Sequence, residues 1–334
     1  MGPGIVVGDG GVPPCYLESM HNSIDAAPCI GIDLGGTKTE VIALGAFGQE
    51  LFRERVATPA ADYAAIVETV GELVERADAV LAQRGTLGVG IPGALSLQTG
   101  LVKNANTTVL IGKPLDRDLS ARCQRPVRIE NDANCFTLSE AVDGAGAGGA
   151  VVFGVIIGTG VGGGICLNKR TWPGNNHIAG EWGHNPLPMP TAEDLPLRPC
   201  YCGRHGCIET YLSGPAATQE YARLAGTSHP LHELPQRAAD GDAHAAVTLD
   251  LYTQRLARCL ATIVNVLDPD VIVLGGGVSN LPGLASQTQA ALPPHVFSDA
   301  VGTTIRPAFH GDASGVRGAA WLGARADRPA HTKK

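Results

Sequence analysis

The sequence predicts an α/β protein built from two similar lobes. Two hairpins of the same construction, each followed later by a stretch of helical periodicity, carry this prediction. The first, CIGIDLGGTKTEVIAL at 29–44, joins two apolar runs by a turn that leaves no room for a helix. The second, VVFGVIIGTGVGGGICL at 151–167, repeats apolar strand, Gly-Thr-Gly turn and apolar strand. We therefore expect a duplicated fold that holds one polyphosphate between its lobes.

Composition narrows the classes of function. The 334 residues suit about two domains, and 44% apolar residues suffice for their cores. Only 17% of residues are charged and the net charge is −7, which excludes a basic surface for nucleic acid and indicates a small-molecule partner. No apolar run is long enough to span a membrane and no export signal is present, so we expect a cytoplasmic protein. Nine cysteines without an export signal favour reduced thiols over disulfides.

The patterned part of the chain suggests its domain limits. Residues 1–28 are rich in Gly and Pro without a period, and we expect them to form a disordered extension. A small N-terminal lobe is expected to consist of residues 29–130 together with about 315–326. A large C-terminal lobe is expected over 131–314, with a tail at 327–334.

The turn of the first hairpin has the residue types of a phosphate cradle. Gly35 and Gly36 let backbone N–H groups approach phosphate oxygens. Thr37 adds a hydroxyl donor, Lys38 adds a cation, and Asp33 places a carboxylate that can hold Mg²⁺ through water. An ordinary Gly-Gly hairpin is the alternative.

A helix, a buried strand and a polar loop follow the first hairpin. The helix is predicted over 62–83, and its apolar face consists of Ile66, Val70, Leu73, Val74, Ala77, Val80 and Leu81. The strand is predicted at Leu87–Ile91 and ends at Pro92-Gly93, where a loop begins. The polar loop 103–106 is suited either to binding sugar hydroxyls or to forming a simple turn.

The segment Asn131-Asp132-Ala133-Asn134 follows a short strand at 126–130 and opens a helix. Asn and Asp are favoured N-caps, so one of these side chains can serve only the helix end. A strand end that leads into a helix start is also where α/β proteins present catalytic side chains. Asp132 can therefore take part in chemistry while a neighbour caps the helix.

The second hairpin also contains the pattern GxGxxG at Gly158, Gly160 and Gly163. A dinucleotide fold requires a helix after this pattern. Here the strand-like run 165–167 follows instead, so we reject the dinucleotide interpretation.

Cysteines cluster in the second half of the chain. Cys200, Cys202 and Cys207 lie within eight residues and have the spacing of a thiolate metal knuckle. A nitrogen ligand from His184 or His205 would complete a closed, structural zinc site. Free cysteines in a loop are the alternative.

The C-terminal third supplies a long helix and a third glycine turn. A long amphipathic helix is predicted over 242–267, followed by a strand at 271–274. That strand leads into the glycine turn 275–280, which suits the nucleoside end of a polyphosphate site. A final small-residue helix at 315–325 is expected to cross back to the first lobe.

Taken together, the chain resembles the ROK family of sugar kinases and sugar-responsive repressors over 29–322. The motifs DLGGTK, NDAN, GTGVGGG, ExGH and CxCGxxGCxE occur in the family's order. GGTKTEVIAL, GEWGHNPLP and CYCGRHGCIET resemble bacterial fructokinases of the manno(fructo)kinase type most closely. NDANCF and GTGVGGGI are similar to N-acetylglucosamine kinases.

The resemblance implies a fold and a set of site residues. The fold would be the two-lobed, actin-like ATPase (ribonuclease H-like) fold, with duplicated βββαβα-type lobes, a zinc-binding loop, and Mg-ATP and sugar in the cleft. Asp132 would be the catalytic base. The residues implied for ATP and Mg²⁺ are Asp33, Gly35, Gly36, Thr37, Lys38, Gly158, Thr159, Gly160, Gly162, Gly163, Gly275, Gly276 and Gly277. The sugar ligands would be Asn106, Asn131, Glu181, His184 and Glu209, and the zinc ligands His184, Cys200, Cys202 and Cys207.

One departure from many members of the family is the separation of sixteen positions between His184 and Cys200, although the fructokinase-like branch shares the longer loop. The implied activity is phosphorylation of the primary hydroxyl of a hexose, with fructose first and mannose second. N-acetylglucosamine and glucose are alternatives within the family.

A sugar-responsive repressor is the alternative from another class. Residues 1–28 are too few for a DNA-binding module and contain no Lys or Arg, which favours the kinase. An actin-like ATPase that assembles or acts as a chaperone does not explain the ExGH motif and the cysteine cluster. The family also implies a homodimer.

Overall fold

The computed structural model of this chain describes residues 28–324. The predicted extension, except for Pro28, and the predicted tail lie outside the described residues. Among the described helices, none combines the length and the apolar character that a membrane span requires.

The first lobe is built on a five-stranded sheet with the order β3-β2-β1-β4-β7. The first three strands pair antiparallel, whereas β4 pairs parallel with both β1 and β7. Its strands are β1 (Cys29–Leu34), β2 (Lys38–Leu44), β3 (Glu50–Ala57), β4 (Thr86–Ile91) and β7 (Val127–Asn131). A separate antiparallel pair consists of β5 (Ala94–Leu95) and β6 (Val102–Lys103).

Two helices, α1 (Tyr63–Leu81) and α2 (Leu115–Cys123), cover this sheet. The α1 helix begins where the Asp62 carboxylate accepts the N–H groups of Ala64 and Ala65, and it buries most of the predicted apolar face. Val80 is an exception, because its side chain is 58% exposed. At 100° per residue it lies roughly 60° from the middle of the buried stripe, close to the helix end, so it faces solvent.

The second lobe repeats the plan of the first, with a five-stranded sheet in the order β10-β9-β8-β11-β12. The hairpin strands β8 and β9 pair antiparallel, and β11 pairs parallel with β8, as β4 does with β1. Its strands are β8 (Val151–Ile157), β9 (Val161–Leu167), β10 (Arg170–Thr171), β11 (Val271–Gly275) and β12 (Thr304–Pro307). The predicted duplication is confirmed, and the strand β9 takes the place of the helix that a dinucleotide fold requires.

Helices of the second lobe pack around the long α7, which buries Tyr252, Leu256 and Leu260 in the core beneath β8 and β11. Asp242 caps α7 by accepting the N–H groups of His244 and Ala245. The helices are α4 (Glu209–Leu212), α5 (Gly214–Ala225), α6 (Leu234–Ala239), α7 (Ala243–Leu267) and α8 (Leu284–Ala291).

Two helices, α3 (Asp132–Val142) and α9 (Ser314–Gly323), join the lobes. The α9 helix packs on β1 and β4, and α3 packs on β8 and β9. The two helices contact each other so closely that a Cβ on Gly318 would lie 1.7 Å from the Cys135 carbonyl oxygen. The N-terminus of α3 therefore lies at the joint between the sheets. The final helix crosses back to the first lobe, while the exact domain limits stay a prediction.

Candidate active site

A cleft of about 790 Å³ lies between the two lobes. Residues from the first lobe, such as Asn106, line one side, and residues from the second, such as Glu181 and His184, line the other. Asn131 and Asp132 contribute from the joint. With Gly163, six predicted site residues from four separate segments are thus brought together. Further lining residues are Pro92, Gly93, Ala94, Asn104, Ala105, Glu130, Asn134, His177, Ile178, Ala179, Asn185, Tyr201 and Arg204.

Asp132 opens α3 inside this cleft. Its Oδ1 accepts the Ala133 N–H at 2.8 Å, and Asn131, the N-cap, accepts the same N–H at 2.9 Å. Burial raises the pKa of Asp132, the Ala133 N–H opposes this rise, and the negative charge of Glu181 adds to it. A buried carboxylate with a raised pKa is suited to accept a proton from a bound hydroxyl. Asn131 caps the helix, as expected for one of these residues.

Asp33 ends β1 near the same joint. Burial, and then the negative charges of Asp132 and Glu40, raise the pKa of Asp33 to about 6. Carboxylates that repel one another in this way are stabilised by a divalent cation, and oxygen ligands are those that Mg²⁺ prefers. The residues present therefore fit the expected magnesium ion.

Glu130 is a cleft residue that the sequence analysis did not single out. Its Oε1 accepts the Asn131 N–H at 2.8 Å and the Asn134 Nδ2–H at 3.1 Å, and burial raises its pKa. These bonds tie the end of β7 to the first turn of α3. Its position as the residue before NDAN was the available signal, but from the sequence it resembled an ordinary strand residue.

The structure does not place Glu209 among the residues that line the cleft. Its Oε2 accepts the Val161 N–H at 2.9 Å and lies 2.7 Å from where a Cβ on Gly160 would be. The reason is that α4 begins at Glu209 beside the turn of the second hairpin. Glu209 thus supports the predicted phosphate turn, and its role toward sugar stays a prediction.

The predicted phosphate glycines fall into two groups. Gly158 has open space around its Cα, and Gly36 would meet only the Thr107 hydroxyl, so both turns are open to a ligand. Gly162 and Gly163, in contrast, lie in β9, paired with Ile156 and Val155. The Gly162 carbonyl accepts the Trp182 indole N–H at 2.9 Å, and a Cβ on Gly163 would lie 3.0 Å from that ring. Strand pairing and Trp182 packing leave little space at these two glycines, and their assignment as phosphate ligands stays a prediction.

A second cavity, of about 510 Å³, joins the predicted phosphate turn to the predicted nucleoside turn. Gly158 and Thr159 lie on one side and Gly277 on the other. Gly275 and Gly276 do not line this cavity. A Cβ on Gly275 would lie 2.4 Å from the Phe136 ring, and a Cβ on Gly276 would lie 2.4 Å from the Ile157 carbonyl oxygen. Close packing therefore requires glycine at both positions. Val278 and Asn280 of the predicted glycine turn also line the cavity, and the residues that the sequence analysis missed here are Gly214, Pro215, Leu231, His232, Leu281 and Pro282.

The cysteine cluster forms a compact donor set. The candidate ligand atoms of His184, Cys200, Cys202 and Cys207 all lie within 4.8 Å of one another. His184 Nδ1 is 3.5 Å from Cys200 Sγ, and the Sγ atoms of Cys202 and Cys207 are 3.6 Å apart. Three sulfurs and one imidazole nitrogen fit a tetrahedral zinc ion. Of the two histidines considered, His184 belongs to the cluster that the described residues form.

The hydrogen bonds of Cys202 favour its thiolate, whereas burial raises the pKa of Cys207. The Arg204 backbone N–H lowers the pKa of the Cys202 thiol to about 6. Since zinc binds the thiolate, this hydrogen bond prepares Cys202 for a metal.

The long loop between His184 and Cys200 is held by a buried ion-pair network. Asp194 Oδ1 accepts from Arg255 Nε at 2.7 Å, and Oδ2 accepts from Arg258 Nη2 at 2.9 Å. Burial opposes ionisation, but the Thr191 N–H and then the two guanidinium groups lower the pKa of Asp194 to about 2. Helix α7 thereby anchors the loop that leads into the cysteine cluster.

Comparisons with known proteins agree with this geometry. A family model described as "ROK family" matches residues 29–326. The chain is 44% identical over 299 residues to an N-acetyl-D-glucosamine kinase of Escherichia coli O157:H7, covering 87% of this chain and 98% of that protein. It is similar to the solved ROK hexokinase from Thermus thermophilus, with a TM-score of 0.78 and 31% identity over 88% of this chain and 97% of that one. A Streptomyces griseus ROK glucokinase, solved with glucose and AMPPNP, gives a TM-score of 0.68 at 26% identity over 88% of this chain and 98% of that one.

Proposed function

Because this chain belongs to the ROK family, we propose that it is a sugar kinase that transfers the γ-phosphoryl group of ATP to the primary hydroxyl of N-acetyl-D-glucosamine. The 44% identity to an N-acetyl-D-glucosamine kinase, across 98% of that protein, supports this sugar over fructose. The motifs that the sequence analysis compared with fructokinases are therefore weaker guides to the substrate than the match over the whole chain.

The observation that carries the proposal is the position of Asp132. Its largely buried carboxylate lies in a cleft with Asn106 and Glu181, whose side chains can bind hydroxyl groups on different sides of a sugar. Burial raises its pKa, which increases its ability to accept a proton.

The proposed reaction needs mainly positioning and charge stabilisation from the protein. Asp132 accepts the proton of the primary hydroxyl as the hydroxyl oxygen attacks the γ-phosphorus. The open turns at Gly36 and Gly158 have space for the phosphates, and the cavity beside Gly277 receives the nucleoside. Mg²⁺ would neutralise charge on the β- and γ-phosphates, and Asp33 is the residue that would hold it.

The cysteine cluster would have a structural role in this reaction. Zinc on Cys200, Cys202, Cys207 and His184 would have four protein ligands and no open position for a substrate. It would fix the orientation of the His184 ring, whose other nitrogen is directed away from the cluster.

The testing experiment measures ADP release with Mg-ATP for N-acetylglucosamine, glucose, fructose and mannose, against a blank without sugar. We expect the highest kcat/KM for N-acetylglucosamine and a phosphomonoester on its primary carbon by phosphorus NMR. If fructose or mannose gave the highest kcat/KM, the proposed substrate would be wrong. If no sugar increased ADP release above the blank, the proposed kinase activity would be wrong.

Glucose is a second candidate substrate. The similar Streptomyces griseus protein is a glucokinase solved with glucose and an ATP analogue. Glucose differs from N-acetylglucosamine only at the second carbon, so the same cleft can hold both with different affinity.

A further inference from the structure

Tyr201 lies between two candidate metal ligands, Cys200 and Cys202, and no role has been assigned to it. Its side chain is 83% exposed, yet it lines the cleft rather than the outer surface. A large aromatic side chain left exposed inside a binding cleft is unusual, since aromatic rings stabilise proteins mainly when they are covered. The position suggests that a ligand covers it.

The phenol is bonded to the cleft-facing side of His184. Tyr201 Oη lies 2.9 Å from His184 Nε2, and the two rings meet edge to face at 5.1 Å. His184 Nδ1 lies 3.5 Å from Cys200 Sγ and so is directed toward the cluster. When Nδ1 serves the cluster, Nε2 carries the ring hydrogen and donates it to Oη. The phenol hydrogen is then left to donate to another acceptor.

Tyr201 and Glu181 line the same cleft and differ in what they can offer a ligand. The tyrosine hydroxyl can donate a hydrogen bond as well as accept one. Glu181, when ionised, can only accept hydrogen bonds, so it can bind sugar hydroxyls but not a carbonyl oxygen.

The acetamido group of an N-acetylated sugar combines a carbonyl oxygen, which needs a donor, with a methyl group, which needs apolar surface. Tyr201 offers a donor at its tip and an exposed apolar ring. Ile178, 52% exposed, adds apolar surface to the same cleft. A hydroxyl in place of the acetamido group would use neither the ring nor a dedicated donor.

We propose that Tyr201 is a specificity-determining residue that binds the acetamido substituent of the sugar, with its phenol donating to the carbonyl oxygen and its ring covering the methyl group. This inference rests on the proposed function. It assigns substrate choice to the one residue of the metal knuckle that is placed between two cysteine ligands and reaches His184.

The test compares Tyr201→Phe and Tyr201→Ala with the wild type in kcat/KM for N-acetylglucosamine and for glucose. Removing one hydrogen bond in Tyr201→Phe should lower the N-acetylglucosamine value about tenfold. Removing the ring as well should lower it about 50-fold. The glucose value should stay within about twofold in both variants, because no contact with a hydroxyl at this position is lost.

Two further measurements separate a substrate role from a structural one. Calorimetric binding of N-acetylglucosamine without ATP should weaken by the same factors, while zinc content and the KM for ATP stay unchanged. Phe297→Ala is the matched control, because Phe297 is a 99% exposed aromatic residue that lines neither the sugar cleft nor the nucleotide cavity.

The outcomes are distinct. Equal losses for both sugars, or loss of zinc in Tyr201→Phe, would overturn the inference in favour of support for the knuckle. Unchanged constants for both sugars would overturn it as well. If the wild type itself phosphorylates no sugar, the proposed function fails, whereas a wild type that is active and insensitive to Tyr201 defeats only this inference.

Discussion

The side chains of Asn131 and Asp132 converge on one donor, the backbone N–H of Ala133, at 2.9 and 2.8 Å. The helix therefore has a cap that does not depend on Asp132. Because Asn131 satisfies the helix end, the Asp132 carboxylate can be changed without removing the cap.

Asp132→Asn should therefore abolish turnover without unfolding the protein. We expect kcat to fall about 10²- to 10⁴-fold, the range typical of a lost general base. The affinity for sugar, measured by calorimetry, and the midpoint of urea unfolding should change little. Asp299→Asn, at an exposed position, is the control. An unchanged kcat in Asp132→Asn would remove this residue as the base.

Asp33→Asn should stabilise the ligand-free protein at high pH. The folded-state pKa of about 6 exceeds the usual value of 3.8, so protonated Asp33 contributes stability at low pH that is lost as pH rises through 6. The side chain of asparagine does not ionise, so the stability of the variant does not fall in this way as pH rises. The stability difference between variant and wild type should grow by about 1.4 kcal/mol from pH 5 to pH 8.

Urea unfolding without magnesium at these two pH values measures that difference. A difference that is equal at both values would show that Asp33 has no raised pKa. The variant should also need more Mg²⁺ for activity, because the carboxylate proposed to hold the ion is gone.

Cys202→Ser should remove zinc and weaken sugar binding together. Cys202 is exposed, so the substitution leaves the apolar core intact, but the cluster loses one of its four candidate ligands. Loss of the ion would free His184 and the knuckle, and we expect the sugar KM to rise about tenfold or more. Zinc content by mass spectrometry and sugar KM are the two readouts. Cys123→Ala, at a buried cysteine outside the cluster, is the control.

A zinc-free Cys202→Ser protein with normal sugar KM would show that the cluster and the sugar site are independent. Retention of zinc in the same variant would remove Cys202 from the ligand set.

Asp194→Asn should destabilise the fold because it removes the carboxylate charge that two buried guanidinium groups share. Arg255 keeps a bond to Glu220, whereas Arg258 keeps only the Met189 carbonyl among the partners described. We expect the free energy of unfolding to fall by about 3 to 5 kcal/mol. The loss should be constant between pH 5 and 8, since the pKa of Asp194, about 2, lies well below this range.

Chemical denaturation of Asp194→Asn at pH 5 and pH 8 checks this expectation. Asp240→Asn, at an exposed helix end, should cost less than about 1 kcal/mol. Similar losses in the two variants would mean that the buried network contributes little to stability.

The sequence was most informative where function depends on local spacing. Both glycine hairpins, the helix that begins at Asp132 and the cysteine knuckle are set by residues a few positions apart. A turn between two apolar runs, or a cap before a helix, is a short-range physical requirement, so these elements could be predicted without tertiary contacts. The same holds for the apolar face of α1, apart from Val80 near its end.

Tertiary structure alone decided which partner each polar group meets. The cysteine spacing left His184 and His205 equivalent as ligands and the family resemblance selected His184, but only packing brings His184 to the cysteines. Glu209 looked like a sugar ligand, but the start of α4 sets it against Val161. Strand register placed Gly162 and Gly163 in β9 rather than in the turn. Hydrogen bonds and burial between distant segments depend on how sheets and helices pack, and local residue order does not contain that information.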